Sequence, residues 1–499
     1  MQVPENLDEL KKVRFTKLEE IRKMEFEPYP YEFDRTHNSK EIINRFAELE
    51  DKIVSVCGRI MSLRRMGKAS FFHIADMSGR IQIYMKQDGV GENVYGMFRK
   101  MDIGDFVGVT GKVGKTKMGE VSVFASGFEL LSKSLRPLPI VKEKMEEDEK
   151  IVFDKFTNID LRYRQRYVDL VVNPDARDVF ITRTKVIDAM RHFLNSKGFL
   201  EVETPILQPI YGGASARPFV THHNTLDVDL YLRISNELYL KRLIVGGFDG
   251  VYEIGKTFRN EGMDRFHNPE FTSMELYVAY EDYLYMMDLV EAMITFIAHE
   301  ATGSTKVQFQ GQEVDLSVKW KRIRMLDAIE EKTGFKLSGK DDAEIRAIGK
   351  KLHIDVNKFP NKGKIIDEIF GECVEPDLVD PTFVIDFPIE ISPLAKRHRE
   401  NPKLVERFEP YIFGREIGNA FSELNDPIDQ RGRFEAQQLL KEQGDDEAQV
   451  LDEDYIRALE YGMPPTTGLG IGIDRLVMML TNSPSIRDVI FFPQMRPEE

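Results

Sequence analysis

The sequence predicts an α+β protein in which a small all-β barrel precedes a much larger mixed domain, and three observations carry that reading. Five short runs rich in β-branched and aromatic residues, separated by turn signals, fill residues 51–136. Charge changes sign there: residues 51–137 hold 14 Lys/Arg against 8 Asp/Glu, a net of +6, which leaves −21 for the remainder of a chain totalling −15. Beyond a linker at 137–160 the pattern becomes helical periods alternating with strands, and it continues to residue 499.

Taken in order, residues 1–50 read as a charged helical extension (Leu7 to Arg22) and a Pro/Tyr-rich crossover around Phe26 to Phe33. Strands follow at Ile53 to Met61, Phe71 to Ile74, Arg80 to Tyr84, Asp105 to Val113 and Val121 to Leu131. Five strands in about 85 residues fit a barrel of the OB type, which holds single-stranded nucleic acid by stacking bases on aromatics in a basic groove. Phe72 can fill its core if Phe71 points out. The linker contains Leu135 to Pro139 and the charged run Lys142 to Lys150.

The large domain opens on a helix over Asp175–Gly198, with Pro174 at its start and Gly198 as its stop, followed by a strand, Phe199 to Thr204, that Pro205 ends. A long helix and strand of this kind suit a dimer seam. Next come two strands around a loop. Arg259 and Glu261 are two apart, and Phe271, Ser273, Glu275 and Tyr277 keep the same period, so each set is expected on one strand face. Such a face offers a guanidinium for phosphate, carboxylates for ammonium and a ring for a base. The final signal is Gly468-Leu-Gly-Ile-Gly-Ile-Asp-Arg475. Its glycines run GxGxG without a surrounding strand–helix–strand unit, which argues against a dinucleotide fingerprint. A strand open to close approach by a ligand, with Arg475 at a helix start, fits better.

Several classes are excluded. The only cysteines, Cys57 and Cys373, leave no disulfide framework or cysteine zinc site. The N-terminus lacks a basic start and an apolar core, and no run of 18 apolar residues occurs, so a cytoplasmic chain without membrane spans is expected.

The helix and strand at about 175–205, the FRNEG strand and loop at about 250–277, and the glycine strand and helix at about 468–480 resemble, in order, motifs 1, 2 and 3 of class II aminoacyl-tRNA synthetases. GREIGNAFSELNDP (414–427), GGASARPF (212–219) and the basic barrel resemble the bacterial-type lysyl-tRNA synthetase family of subclass IIb. The resemblance implies a catalytic domain at 161–499 built on an antiparallel sheet flanked by helices, with tRNA(Lys), ATP and L-lysine as partners, Mg²⁺ as cofactor, and a homodimer. It implies an ATP site of Arg259, Glu261, His267, Asn268, Phe271, Glu409, Glu416 and Arg475. Adenine would lie between Phe271 and Arg475, Arg259 on the α-phosphate, and His267 near the terminal phosphates. Glu409 and Glu416 match the family's magnesium carboxylates; seven apart, they need a bend near Gly414 to share one face. In the barrel, Arg59 would take a phosphate, while Phe71 stacks and Gln82 and Glu120 read base edges of the anticodon.

Charge argues for the substrate. Asn419, Phe421 and Glu423 share a strand face, Glu237 follows Asn236 at a helix start, and Glu275 and Tyr277 lie on the face described first. Acidic groups remain in excess once an α-ammonium and magnesium are served, which fits a cationic side chain. Glu423 and Tyr277 are accordingly assigned to the ε-ammonium, Glu237 and the Gly213 backbone to the α-ammonium, and Arg259 with Asn419 to the carboxylate. An aspartyl or asparaginyl enzyme, a lysine ligase acting on a protein, and a non-catalytic OB-type nucleic-acid binder are the alternatives.

Overall fold

The computed structural model describes residues 5–139, 142–146, 149–153, 156–442 and 448–498, and the chain divides into two compact units at Thr157/Asn158. The first four residues of the extension and parts of the charged linker (140–141, 147–148 and 154–155) lie outside the described residues.

In the first unit, strands Ile53–Met66, Ala69–Ala75, Arg80–Lys86, Val121–Ser132 and Phe106–Lys115 close into a barrel in that order. All pairs are antiparallel except Arg80–Lys86 with Val121–Ser132. Val54, Val56, Phe72, Ile74, Ile83 and Val109 fill it. Closure needs a sharp corner at Gly111, beside a break in register, where a Cβ would sit 2.2 Å from the Phe124 carbonyl oxygen. A short helix, Glu92–Phe98, escapes the sequence reading because it lacks a side-chain cap; it inserts Tyr95, Met97 and Phe98 into the same core. The N-terminal helix, Glu5–Lys23, is fastened by Ile21 in that core and by Arg14, which donates to the carbonyls of Ser134 (2.8 Å) and Ile103 (3.0 Å). Where a plain linker is expected, Lys142–Glu146 pairs antiparallel with Glu149–Phe153.

The second unit is organised by a nine-stranded sheet. Six strands run antiparallel in the order Thr382–Pro388, Leu404–Ile412, Gly418–Ser422, Thr466–Gly472, Glu270–Ala279 and Gly250–Phe258. A short parallel strand borders each side, Lys321–Arg324 and Leu200–Glu201, and a ninth, Arg415–Glu416, pairs antiparallel with the end of Leu404–Ile412, so the expected antiparallel sheet is a mixed one. The strand expected over Phe199–Thr204 shortens to Leu200–Glu201, because it meets only the Val251–Tyr252 segment of its neighbour.

The helices Pro174–Ser196, Tyr283–Thr302 and Ile473–Leu480 cover one sheet face through Val186, Met190, Val290, Ile294 and Val477. The first begins at Pro174, whose missing N–H costs nothing at that position, and stops before Gly198 in a left-handed conformation. Arg183 ties this helix to the last one, donating to Asp474 Oδ1 (2.6 Å), while Asp474 Oδ2 accepts from the Thr272 amide (2.6 Å). The opposite sheet face is partly covered by helices Glu237–Val245 and Glu453–Glu460 and by three helices between Met325 and Cys373. The part left open carries the polar residues.

Candidate active site

Side chains of that open face converge on a cavity of about 410 Å³, whose floor is built by register. Tyr277, Gly468, Phe421 and Arg407 stand opposite one another across four strands, and Glu275, Gly470 and Asn419 form the next row. Strand alternation sends Phe271, Ser273, Glu275 and Tyr277 to the cavity and Met274 and Leu276 to the helix-covered core. The glycine strand is open for two reasons. A Cβ at Gly468 would come 2.2 Å from Glu423 Oε1 and 2.4 Å from the Tyr277 ring, so its smallness first admits the protein's own side chains. Gly470 has nothing nearer than 3.8 Å, so its openness serves the cavity.

At one end stand Gly213, Ser235, Glu237, Glu275 and Tyr277. Glu275 accepts from Ser235 Oγ and from the Tyr277 hydroxyl, both at 3.0 Å. Burial, then repulsion from Glu237, pushes its carboxyl up to about 7. Glu237 opens its helix as expected, but its Oε1 accepts from Lys241 Nζ at 2.5 Å, and Lys241 also pairs with Glu423. Glu423 lies on the same sheet face as Phe421, its Oε1 beside Gly468, buried under the Glu237–Val245 helix at the edge of the cavity lining. The acidic excess is therefore smaller than the sequence alone suggests, because Lys241 and Arg407 offset part of it. Lys241 carried a usable signal, four residues after Glu237 on one helix face. Beneath this end, buried Glu253 accepts from Arg233 (2.5 Å), Thr204 (2.7 Å) and Asn236 (3.0 Å), which anchors the start of the Glu237 helix.

At the other end, Arg259 and Glu261 depart from expectation. Their strand stops at Phe258 and the Asn260 amide turns to the Arg217 carbonyl (2.8 Å), so both lie in a loop and the period of two does not apply to them. They still line the cavity with His267, Asn268 and Phe271. Arg259 Nε is buried without a hydrogen-bond partner, the guanidinium lies 5.2 Å from the Phe271 ring centre, and burial lowers its pKa. Arg475, expected over that ring, donates through Nη1 to the Glu416 carbonyl and carboxylate, both at 2.9 Å. Its Nη2 is 3.4 Å from His267 Nε2, and His267 Nδ1 is 2.8 Å from Asp264. Asn268 donates to the Glu270 carbonyl at 2.6 Å and keeps a buried Oδ1 unpartnered.

Glu409 and Glu416 do share one face, through a tight hairpin rather than a bend. Phe413 and Gly414 both take positive φ, 56° and 65°, and Glu416 then pairs opposite Tyr411, two residues from Glu409. Glu409 accepts from Arg407 (2.6 Å) and from the Tyr411 hydroxyl (2.7 Å). Burial raises its carboxyl to about 7, against the pull of Arg407. Arg407 also donates to Asn419 Oδ1 at 2.8 Å, joining the two halves of the floor.

In the first unit, Phe72 is fully buried and Phe71 lies on the outer face, stacked on Tyr84 with ring centres 4.6 Å apart. Phe124 meets Tyr84 edge-on at 5.4 Å and extends an aromatic row that the sequence reading represented by Phe71 alone. Beside it, Gln82 and His73 both engage the Glu120 carboxylate, at 2.5 and 2.8 Å. Arg59 donates to the Gly104 carbonyl (2.9 Å) and packs on Phe106.

The family model described as tRNA synthetases class II (D, K and N) matches residues 158–496, and the one described as OB-fold nucleic acid binding domain matches 54–131. The chain is 57% identical over 496 residues to a lysine--tRNA ligase of Carboxydothermus hydrogenoformans, covering 99% of each. It is 55% identical over 498 residues to the lysine--tRNA ligase of Pelotomaculum thermopropionicum, covering 99% of this chain and 96% of that one. The corresponding Porphyromonas gingivalis ligase is 54% identical over 503 residues, with 99% and 86% covered.

Because the Glu275 carboxyl is raised in the fold, ionising it costs stability as pH climbs from its unfolded value to about 7. Glu275→Gln removes that cost. Relative to the parent, the variant should gain up to about 3 kcal/mol between pH 5 and pH 8. Denaturant unfolding at the two pH values measures the gap, and an equal difference at both would show that Glu275 ionises freely.

Proposed function

Since the chain belongs to the class II tRNA synthetases of the D, K and N group, we infer that it ligates lysine to tRNA, activating the amino acid with ATP and passing it to the tRNA 3′ end. The observation that carries lysine as substrate is the acidic end of the cavity. Glu237, Glu275 and Glu423 surround the single ammonium of Lys241, which is already engaged by two of them. An aspartate side chain would find no unengaged cation there. In this reading Glu237 and the Gly213 backbone hold the α-ammonium, Glu423 and Tyr277 the ε-ammonium with Glu275 in support, and Phe421 covers the aliphatic stem. Arg259 and Asn419 take the carboxylate.

ATP would lie over Phe271, with Arg475 closing on the base once it leaves Glu416, Glu261 and Asn268 beside the adenine loop, and His267 toward the terminal phosphates. The lysine carboxylate oxygen attacks the α-phosphorus, the bond to the bridging oxygen breaks, and pyrophosphate departs. The ribose hydroxyl of tRNA then attacks the lysyl carbonyl and AMP leaves. Arg259, whose buried Nε has no hydrogen-bond partner among the described residues, is ready for the charge that develops on the α-phosphate. Among the described residues no cluster of three or more His, Cys, Asp or Glu forms a ready cage for a metal. Two carboxylates on one face, Glu409 and Glu416, suit Mg²⁺, which retains water and takes further ligands from phosphates. Bound there, it would offset phosphate charge. The barrel face of Phe71, Gln82 and Glu120 would take the anticodon, with Arg59, held against Gly104 and Phe106, reaching a backbone phosphate.

We also propose a homodimer. Leu200, Ile206, Leu207, Val220 and Val228, beside and just beyond the Pro174–Ser196 helix in sequence, are exposed apolar residues, the composition of a buried seam.

Arg259→Ala should lose on the order of 10² to 10³ in lysine-dependent ATP–pyrophosphate exchange while remaining folded; near-parental exchange would remove Arg259 from the phosphate site. Phe71→Ala should leave that exchange unchanged and weaken tRNA charging by about 1 to 3 kcal/mol, and a matching loss in both assays would place Phe71 elsewhere. Light scattering at micromolar concentration should give twice the 57.7 kDa chain mass; a monomer mass would reject the seam.

A further inference from the structure

A fully buried lysine beside a site for lysine needs a reason. Lys241 Nζ lies 2.5 Å from Glu237 Oε1 and pairs with Glu423, so it bridges the two carboxylates assigned above to the two substrate ammonium groups. It has no exposed surface. The rings of Phe421, Tyr455 and Tyr277 surround it, with centres at 5.3, 5.9 and 6.0 Å. Glu237 comes from a helix and Glu423 from the end of a sheet strand, and Lys241 is the group that binds them to each other.

We infer that Lys241 is a specificity-determining and positioning residue for lysine activation: a resident cation that holds Glu237 and Glu423 in place and supports negative charge on the pair that receives the substrate. The inference rests on the lysine-ligase reading. Two carboxylates meeting in a buried space without a cation share a proton instead of both staying charged. The other charged and titratable groups facing this trio are Glu275 and Tyr277 on one strand, Tyr455 on the covering helix, and Arg407 from the floor. Arg407 is committed to Glu409 and Asn419, and so does not replace Lys241.

The test is lysine-dependent pyrophosphate exchange by the full-length protein between pH 6.5 and 9. Lys241→Met keeps the length of the side chain and removes its charge. Its KM for lysine should rise about tenfold or more at pH 7 and fall about tenfold per pH unit on going alkaline, one proton being lost on binding. The KM for ATP should stay flat, and Lys241→Arg should restore much of the affinity. A purely structural ion pair would lower stability without tilting the pH profile of the lysine KM, and that outcome overturns the inference. Should Lys241→Met not fold, the double variant Lys241→Met with Glu423→Gln removes the unpaired charge. It should fold and bind lysine weakly at every pH, whereas parental lysine KM in it would overturn the proposal. Failure of the parent to activate lysine at all would instead reject the ligase reading and the inference with it.

Discussion

Carboxylates crowded beneath one sheet face must each find a cation, a proton or a hydroxyl, and the site is arranged around how that demand is met. Glu253 takes Arg233, Glu409 takes Arg407 and Tyr411, Glu416 takes Arg475, and Glu237 and Glu423 divide Lys241. Among the described residues Glu275 pairs with no cation; two hydroxyls and a raised affinity for its proton serve instead. Against this background Arg259 stands out as the cavity-lining guanidinium whose buried Nε has no hydrogen-bond partner among the described residues. Acidic groups at one end and an unsatisfied cation at the other polarise the cavity along its length. A zwitterion with a cationic side chain, joined to a nucleotide, matches that polarity.

Rigidity of this pattern comes from elements distant in the chain. Arg183 on the first long helix reaches Asp474 at the start of the last one, and Asp474 in turn holds the Thr272 amide beside Phe271. Thr204, Arg233, Asn236 and Glu253 make a second knot under the acidic end. Phe271 and the groups of the acidic end are thereby set by buried hydrogen bonds, which keeps their own reorganisation small, while Arg259 and Glu261 are placed by a loop.

Much of this was legible in the sequence. Strand periodicity located the barrel strands and put Phe271, Ser273, Glu275 and Tyr277 on one face, because alternation is a local property of the backbone. Motif order pointed to the remaining residues. What escaped was pairing across the fold. Glu423 reads as an available carboxylate until Lys241 is seen against it, and Arg475 reads as a ring partner until Glu416 is seen beneath it. Gly468 reads as an opening for ligand, although its nearest claimants are Glu423 and Tyr277. Arg259 and Glu261 read as strand residues because alternation cannot register that the ladder ends one residue earlier, at Phe258.

The tight turn at Phe413 and Gly414 has a consequence for how this chain can vary. Glu409 and Glu416 face the same way only because two residues in left-handed conformation fold one strand back on the other in a fixed register. One residue more or fewer between them would slip the pairing and swing a carboxylate through the sheet to the side packed with Phe383, Phe408 and Ile412. Over this stretch the count of residues sets which side of the sheet each carboxylate faces, so its length is constrained independently of its side chains. Insertions accumulating in the family would be absorbed on either side of the hairpin and kept out of it.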